Sequence, residues 1–523
     1  MSTSSDNNKR IAKNTMMLYI RMAITMLVQL YTSRVVLEVL GIEDYGIWNL
    51  VATLVVSISF ITGPLSSVIQ RFLSYEIGTG NEQKLNIVFS QSVILYSIFS
   101  FVLLILFETI GLWLLNTKLT IPADKIAITN LIYQFSIASF IITLLRMPYD
   151  AIIIAYERMN FYAYLSIIDV GLKLGIVYLL LIITKIPHLI SYGLLTLAIS
   201  TIITLIYKIY CNKKYACSKI RLTIEKKTLK EMAAFSGWSL MGAFAVMTAN
   251  QGTSMILNVF YGVTINATIG IANQVGNSVN QFVANFQLAF QPNIVKEYAQ
   301  NRIDQLRQLV YRASKLSFIL LFAISFPIIS NIDDILILWL GNETPDETSL
   351  FCIWIIISLL IECLSAPLWM CIQASGNIRN YQIAISFVIM TNILFSYILL
   401  SYGFPPICVM YLKCIVSTIC LIIRIGYSRK VIQLSISKYC ICAILKSLAI
   451  AISSILIYYL IINQISINSP LLRMTINIAV FIIPYMFISY FLGFTRTERK
   501  HLTEAIRNRI NRFKADNKLG QNI

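Results

Sequence analysis

Residues 87–115 read IVFSQSVILYSIFSFVLLILFETIGLWLL, 29 positions in which Glu108 is the single charged side chain. A bilayer core of about 30 Å is crossed by a helix of about 20 apolar residues, so this stretch spans a membrane with turns to spare. A soluble surface helix would keep one polar face; this one is apolar all round. Working outward, the pattern repeats from Met17 to Gly493. With 57% hydrophobic residues, 13% charged residues and a mean hydropathy of +0.73 across 523 positions, no soluble arrangement could hide the apolar surface.

Turn and charge signals divide the chain into an all-α, polytopic arrangement of fourteen predicted helices. They are Met16–Leu40, Gly46–Ile69, Ile87–Leu115, Ile126–Ala155, Tyr162–Thr184, Ile190–Tyr210, Ala233–Phe260, Ile265–Phe290, Leu309–Ser330, Leu350–Ala374, Tyr381–Leu400, Cys408–Tyr427, Tyr439–Ile462 and Arg473–Gly493. The net charge of +18 sits in alternate connections: Arg71 and Lys84, Arg158, Lys213 to Lys230, Lys296 to Arg307, and Arg429 to Lys438. The intervening loops are nearly free of Lys and Arg, and two are acidic, with Glu38, Glu43 and Asp44 in the first and Asp333, Asp334, Glu343, Asp346 and Glu347 in another. Basic loops stay on the cytoplasmic side, which places both termini there and explains the charge without nucleic acid. The polar start, Met1 to Lys9, followed by a long apolar run, argues for a retained first helix rather than a cleaved leader. The tail beyond Thr495 alternates Leu502, Ile506, Ile510 and Phe513 with Arg507, Arg509, Arg512 and Lys514, so it is read either as a helix lying on anionic membrane lipids or as a solvated tail. The ten cysteines lie scattered in apolar runs and read as small core residues.

A shift of 221 residues exposes an internal repeat, pairing Gly41 with Gly262, Ile42 with Val263, Glu76 with Glu297 and Leu85 with Leu306. Many transporters are two repeated bundles. The predicted organisation is therefore an N-lobe over residues 1–210, a basic linker over 211–232, a C-lobe over 233–427, two additional helices over 428–493 and a basic tail over 494–523.

Signatures of catalysis are missing: there is no Walker A motif, no GxGxxG after a strand, no HExxH and no GxSxG. The two histidines, His188 and His501, fall in loops on opposite sides. No catalytic residue, metal site or cofactor is expected. What remains is polarity inside the membrane, which is costly unless it lines a wet cavity or finds a partner. The first helix carries Arg21, Thr25, Gln29 and Thr32 on one face, and an arginine at that depth costs about 2.5–3.5 kcal/mol to insert. The second carries Asn49, the seventh Asn250, Gln251 and Asn258, and the eighth Asn266, Asn273, Asn277 and Asn280. Interhelical hydrogen bonding accounts for some of these amides; a site for sugar hydroxyls needs the same groups. Arg21, Gln29, Asn49, Asn250, Asn273 and Asn277 are the candidate cavity residues. Asp169 and Lys173, four apart, form either an intrahelical ion pair or an ion-coupling site, and Glu362 is a second coupling candidate.

The stretch Ser33 to Trp48, with Leu40-Gly41-Ile42-Glu43-Asp44-Tyr45-Gly46 at its centre, resembles the opening of Wzx-type polysaccharide flippases, whose first loop reads LGxxxYG. Arg146-Met147-Pro148-Tyr149-Asp150, Tyr156 to Asn160, and Ala234 to Trp238 are similar to later parts of the same family. The resemblance implies the multidrug/oligosaccharidyl-lipid/polysaccharide exporter fold in a bacterial inner membrane. It also implies an undecaprenyl-diphosphate-linked oligosaccharide as cargo for O-antigen, capsule or exopolysaccharide assembly, and a polysaccharide polymerase and a chain-length regulator as partners. Arg21 is the candidate for the diphosphate. A multidrug/cation antiporter and a peptidoglycan-precursor flippase of the same fold are alternatives, as is a membrane glycosyltransferase or polymerase, although the longest outer loop, Asn331 to Ser349, is short for such an enzyme.

Overall fold

The computed structural model describes all residues except 1–3, 57–60, 118–120, 123, 183–186, 221–224, 342–344, 346, 465–468, 495–498 and 500–523. The expected amphipathic tail beyond Thr495 lies outside the described residues. In chain order the long helices are α1 Ser4–Val56, α2 Thr62–Thr79, α3 Glu82–Leu106, α4 Ile126–Ala155, α5 Met159–Leu180, α6 His188–Lys214 and α7 Lys226–Tyr261. They continue as α8 Val263–Ala299, α9 Ile303–Ser330, α10 Thr348–Ala374, α11 Arg379–Ser401, α12 Cys408–Ile432, α13 Lys446–Ile462 and α14 Pro470–Ile488. A π-helical turn, Phe107–Gly111, carries α3 on into Leu112–Thr117.

Gly41 breaks α1 into two limbs, with φ 78° and ψ 169°, a conformation open to glycine because it has no Cβ. The second limb and α2 together occupy the place of the second predicted helix. Among the described residues, twelve helices are long and apolar enough to cross a bilayer. The second predicted span is divided between the second limb of α1 and α2, neither of which meets that standard alone, and α8 falls short of the apolarity. In α8 the reason is its amides from Asn266 to Asn293, of which Asn273, Asn277 and Asn280 line a cavity and Asn285 and Asn293 are buried.

Boundaries were read best at the end without basic loops. At the basic end the helices run further than predicted: α6 to Lys214, α8 to Ala299, α7 from Lys226 and α9 from Ile303. Lys, Arg, Gln and Glu are good helix formers, so a helix leaving the bilayer continues into water where the sequence criterion stops at the first charge. The expected linker is correspondingly short. It holds a 3-10 turn, Ala216–Ser218, clamped by Asn86, whose Nδ2 donates to the Cys217 and Lys219 carbonyls at 2.8 Å. The expected loop Asn331 to Ser349 contains a short helix, Ile332–Leu340.

The repeat is visible in the backbone. Gly41 and Gly262 share φ values of 78° and 76°, Gly80 and Asn301 are both left-handed at 73° and 55°, and α3 and α9 begin at Glu82 and Ile303. Packing repeats as well: α1 with α5, α2 with α4 and α4 with α6 correspond to α7 with α11, α8 with α10 and α10 with α12. These are two lobes of six helices. The pair α13 and α14 stands outside the repeat and packs on α9, with Phe322 and Phe326 against Tyr458, Phe481 and Tyr485. Its loop end is tied by Arg473 to Asp334 at 2.7 Å and by Asn477 to Asn331 at 2.7 Å.

The lobes are pinned together at their basic end. Phe72 of α2 meets Phe235 of α7 edge to face at 5.7 Å, Ser67 donates to Gln373, and Gln291 donates to Ser67.

Candidate functional site

Each lobe holds a polar cavity. In the N-lobe, a space of about 240 Å³ is lined by Arg21, Thr25 and Gln29 from α1, Arg146 and Asp150 from α4, Tyr162, Ser166 and Asp169 from α5, and Tyr207 from α6. Charges in it are largely paired: Arg146 Nε meets Asp150 Oδ2 at 3.3 Å and Lys173 Nζ meets Asp169 Oδ2 at 3.0 Å. The spacing of four residues on a helix brings each pair together.

Arg21 lies at the border between the lobes. Its Nη2 donates to Asn285 Oδ1 of α8 at 2.8 Å, and the guanidinium stacks over the Tyr162 ring at 4.9 Å. These contacts offset the cost of an intramembrane arginine and set its direction into the N-lobe cavity.

In the C-lobe, a cavity of about 300 Å³ is surrounded by α7, α8, α10, α11 and α12. Asn250, Asn273, Asn277, Asn280 and Asn392 contribute amides, Ser417 a hydroxyl, and Glu362, Lys413 and Arg424 the charges. A side space of about 150 Å³ shares Asn280, Glu362 and Arg424 and adds Gln287 and Trp369. A wider space of about 560 Å³ shares Asn273 and adds Gln251, Ser254, Asn258 and Asn266. Glu362 Oε1 accepts from Ser417 Oγ at 3.0 Å. Arg424 donates through Nε to the Tyr381 hydroxyl at 3.1 Å and through Nη1 to Ser365 Oγ, and these two bonds hold the guanidinium plane in the cavity wall.

The sequence candidates therefore divide between two cavities instead of sharing one. Arg21, Gln29 and Asp169 line the first; Asn250, Asn273, Asn277 and Glu362 line the second. Asn49 lines neither, because its limb of α1 turns this side chain to an exposed position away from both. Lys173 meets Asp169 outside the cavity wall, its side chain 40% exposed. Sequence reasoning missed Arg424, although the rule that selected Arg21, a charge inside an apolar run, selects Arg424 within Cys408–Tyr427 equally well. It also missed Asn392, an amide within Tyr381–Leu400 that the same polarity rule selects, and Tyr207, for which the sequence carries no comparable signal. Among the described residues no group of three or more His, Cys, Asp or Glu could hold a metal ion.

These features define a class: a polytopic helical membrane protein of two pseudo-symmetric six-helix lobes, each with a polar cavity. Solved structures place that architecture. A MATE protein in its straight conformation is similar over 83% of this chain and 99% of its own, with a TM-score of 0.70 at 15% identity. The outward-facing conformation of a multidrug resistance MATE family transporter of the MOP superfamily matches the same shares at a TM-score of 0.65 and 14% identity. A MOP superfamily transporter from Pyrococcus furiosus, described as having a binding pocket of reverse polarity that suggests a different function, also covers 83% and 99%, at 0.63 and 14%. The chain thus has the fold of these proteins, two of which are described as MOP superfamily transporters. No protein-family model and no curated protein matches the sequence.

Proposed function

We propose that this protein is a membrane transporter that moves a lipid-linked oligosaccharide, a polyprenyl diphosphate carrying a short glycan, from the cytoplasmic to the periplasmic leaflet of a bacterial inner membrane by alternating access. The observation that carries this reading is the lining of the C-lobe cavity: five asparagine amides and a serine hydroxyl, with Lys413 and Arg424 against the single carboxylate of Glu362. Amides hydrogen-bond sugar hydroxyls as both donors and acceptors, and an excess of cation suits an anionic cargo. The resemblance of residues 33–48 to polysaccharide flippases supports the same cargo. A polysaccharide polymerase and a chain-length regulator are the partners such an exporter would serve.

Transfer of labelled lipid-linked oligosaccharide in proteoliposomes, read by its accessibility to an external glycosidase, tests the reading. Transfer at least about tenfold above protein-free vesicles is expected; a rate equal to the vesicles overturns it. The fold likeness and Glu362 favour a second reading, a multidrug antiporter. That reading expects gradient-driven dye efflux, lost in Glu362→Gln, from vesicles that do not move the lipid-linked sugar.

Orientation follows from loop charge in this reading, with both termini and the 211–232 linker cytoplasmic. A phosphatase fused after Lys230 is expected to be inactive in the periplasm and a fluorescent-protein fusion at the same point active. The reverse pattern would invert the proposed direction.

Arg21 bridges α1 and α8, so it enters transport through lobe contact as well as through cargo. Arg21→Ala is expected to lower transfer by about tenfold, and Arg21→Lys to recover part of it, since an ammonium does not reproduce the planar contact with Tyr162. Full activity of Arg21→Ala at equal expression would remove Arg21 from the mechanism.

A further inference from the structure

Two buried charges outside both cavities join the lobes at the basic end, and the repeat relates them. After α4 the chain turns at Glu157, which is left-handed at φ 59°, and after α10 it turns at Gly376, at φ 81°. Both stand just past a helix C-terminus, where glycine is the usual occupant because an L side chain is disfavoured there. A glutamate retained in that conformation points to a use for its side chain.

The Glu157 carboxylate is that use. It reaches across to α8, accepting from Lys296 Nζ at 2.6 Å and Asn293 Nδ2 at 3.2 Å, and it is 1% exposed. At the related turn the polarity is exchanged. Arg71 of α2 crosses to the C-terminus of α10 and donates through Nε to the Gln373 carbonyl at 3.2 Å and through Nη2 to the Ala374 carbonyl at 2.8 Å. The Gln373 carbonyl also accepts from the Gly376 N–H at 3.0 Å, and both carbonyls, in the last turn of α10, carry the negative end of the helix dipole. Phe72, Tyr75 and Phe235 surround the guanidinium with their rings. A Cβ on Gly376 would stand 2.7 Å from Arg71 Nη2 and push the end of that side chain aside, and the φ of 81° favours glycine besides.

We propose that Glu157 with Lys296 and Arg71 with the α10 terminus are a pair of latches that together hold the two lobes closed at the basic end. Neither buried charge can be left without a partner, so separating the lobes must hydrate both at once. Opening is then all-or-none, a single equilibrium that each latch biases. This rests on inter-lobe geometry and not on the identity of the cargo, and it is read without transport.

The test is the distance between spin-labelled unnatural amino acids at Gln83 and Gln305, exposed positions on opposite lobes near these turns. The unmodified protein is expected to give one dominant short distance. Glu157→Gln and Arg71→Gln should each raise the ratio of open to closed by about tenfold, populating the same longer distance in both, and the exchange Glu157→Lys with Lys296→Glu should restore the short one. Gly376→Ala, which displaces Arg71 without removing a charge, should populate that same longer distance and carries the test if Arg71→Gln does not fold. A distribution unchanged in Glu157→Gln and in Gly376→Ala, or a different long distance for each latch, would overturn the proposal.

Discussion

Arg424→Ala is expected to cut transfer of the lipid-linked oligosaccharide by about a hundredfold, at a folded yield close to that of the unmodified protein. Arg424 is one of the two cations lining the C-lobe cavity, beside Lys413, and hydrogen bonds to the Tyr381 hydroxyl and Ser365 orient its guanidinium. A guanidinium held in a plane offers paired donors to two oxygens of one anion, which a freely rotating ammonium does not. Arg424→Lys should therefore restore only part of the rate, and Tyr381→Phe, which keeps the charge and releases the plane, should lie between Lys and the native residue. Ser365 Oγ keeps its bond to the Glu362 carbonyl after truncation, and the emptied space joins a cavity lined by amides. Transfer rates in proteoliposomes at matched protein content, beside thermal midpoints in detergent, separate the effect on cargo from an effect on the fold. An Arg424→Ala protein that transfers normally would take the cavity out of the proposed path.

The second large effect is on stability. Gly262→Ala is expected to lose about 1–3 kcal/mol, the range for a side chain forced into a region that essentially only glycine visits. Gly262 has φ 76° and ψ −160° where α7 gives way to α8, and nothing lies within 4 Å of the position a Cβ would take. The cost is thus conformational rather than steric. Gly41→Ala should lose a similar amount, since the repeat gives it nearly the same φ. Gly46→Ala is the control: it lies within helix, with open space around it, and alanine there should be neutral or stabilising by up to about 1 kcal/mol. Midpoint temperatures in one detergent compare the three. Equal behaviour of Gly262→Ala and Gly46→Ala would refute the assignment of the turn.

Legibility in the sequence followed the physics of the solvent. Lipid demands continuous apolar helices, so the run at 87–115 and its counterparts announced themselves, and Ile126–Ala155 was placed to the residue. Helix ends at the basic face were set too short, because past the bilayer the helix is maintained by propensity and not by apolarity. The pairing of Gly41 with Gly262 was readable as identity in sequence, and the shared φ supplies its reason. Glu157 and Gly376 are the counterexample. They occupy one conformation in the two lobes but share no chemistry, so no residue comparison could pair them.

Composition and periodicity determined that the chain spans a membrane, that it is all helical and that its intramembrane polar residues require company, and the residue matches at a shift of 221 pointed to two related halves. Only the tertiary structure decided which company. Gln29 and Asn273 are both polar residues on membrane helices, yet one lines the N-lobe cavity and the other the C-lobe cavity, while Asn49 lines neither. Helix period fixes the face on which a side chain stands but not which helix comes to meet that face. That depends on contacts such as Arg21 with Asn285 and Glu157 with Lys296, which join residues 264 and 139 positions apart and leave no local trace in either segment.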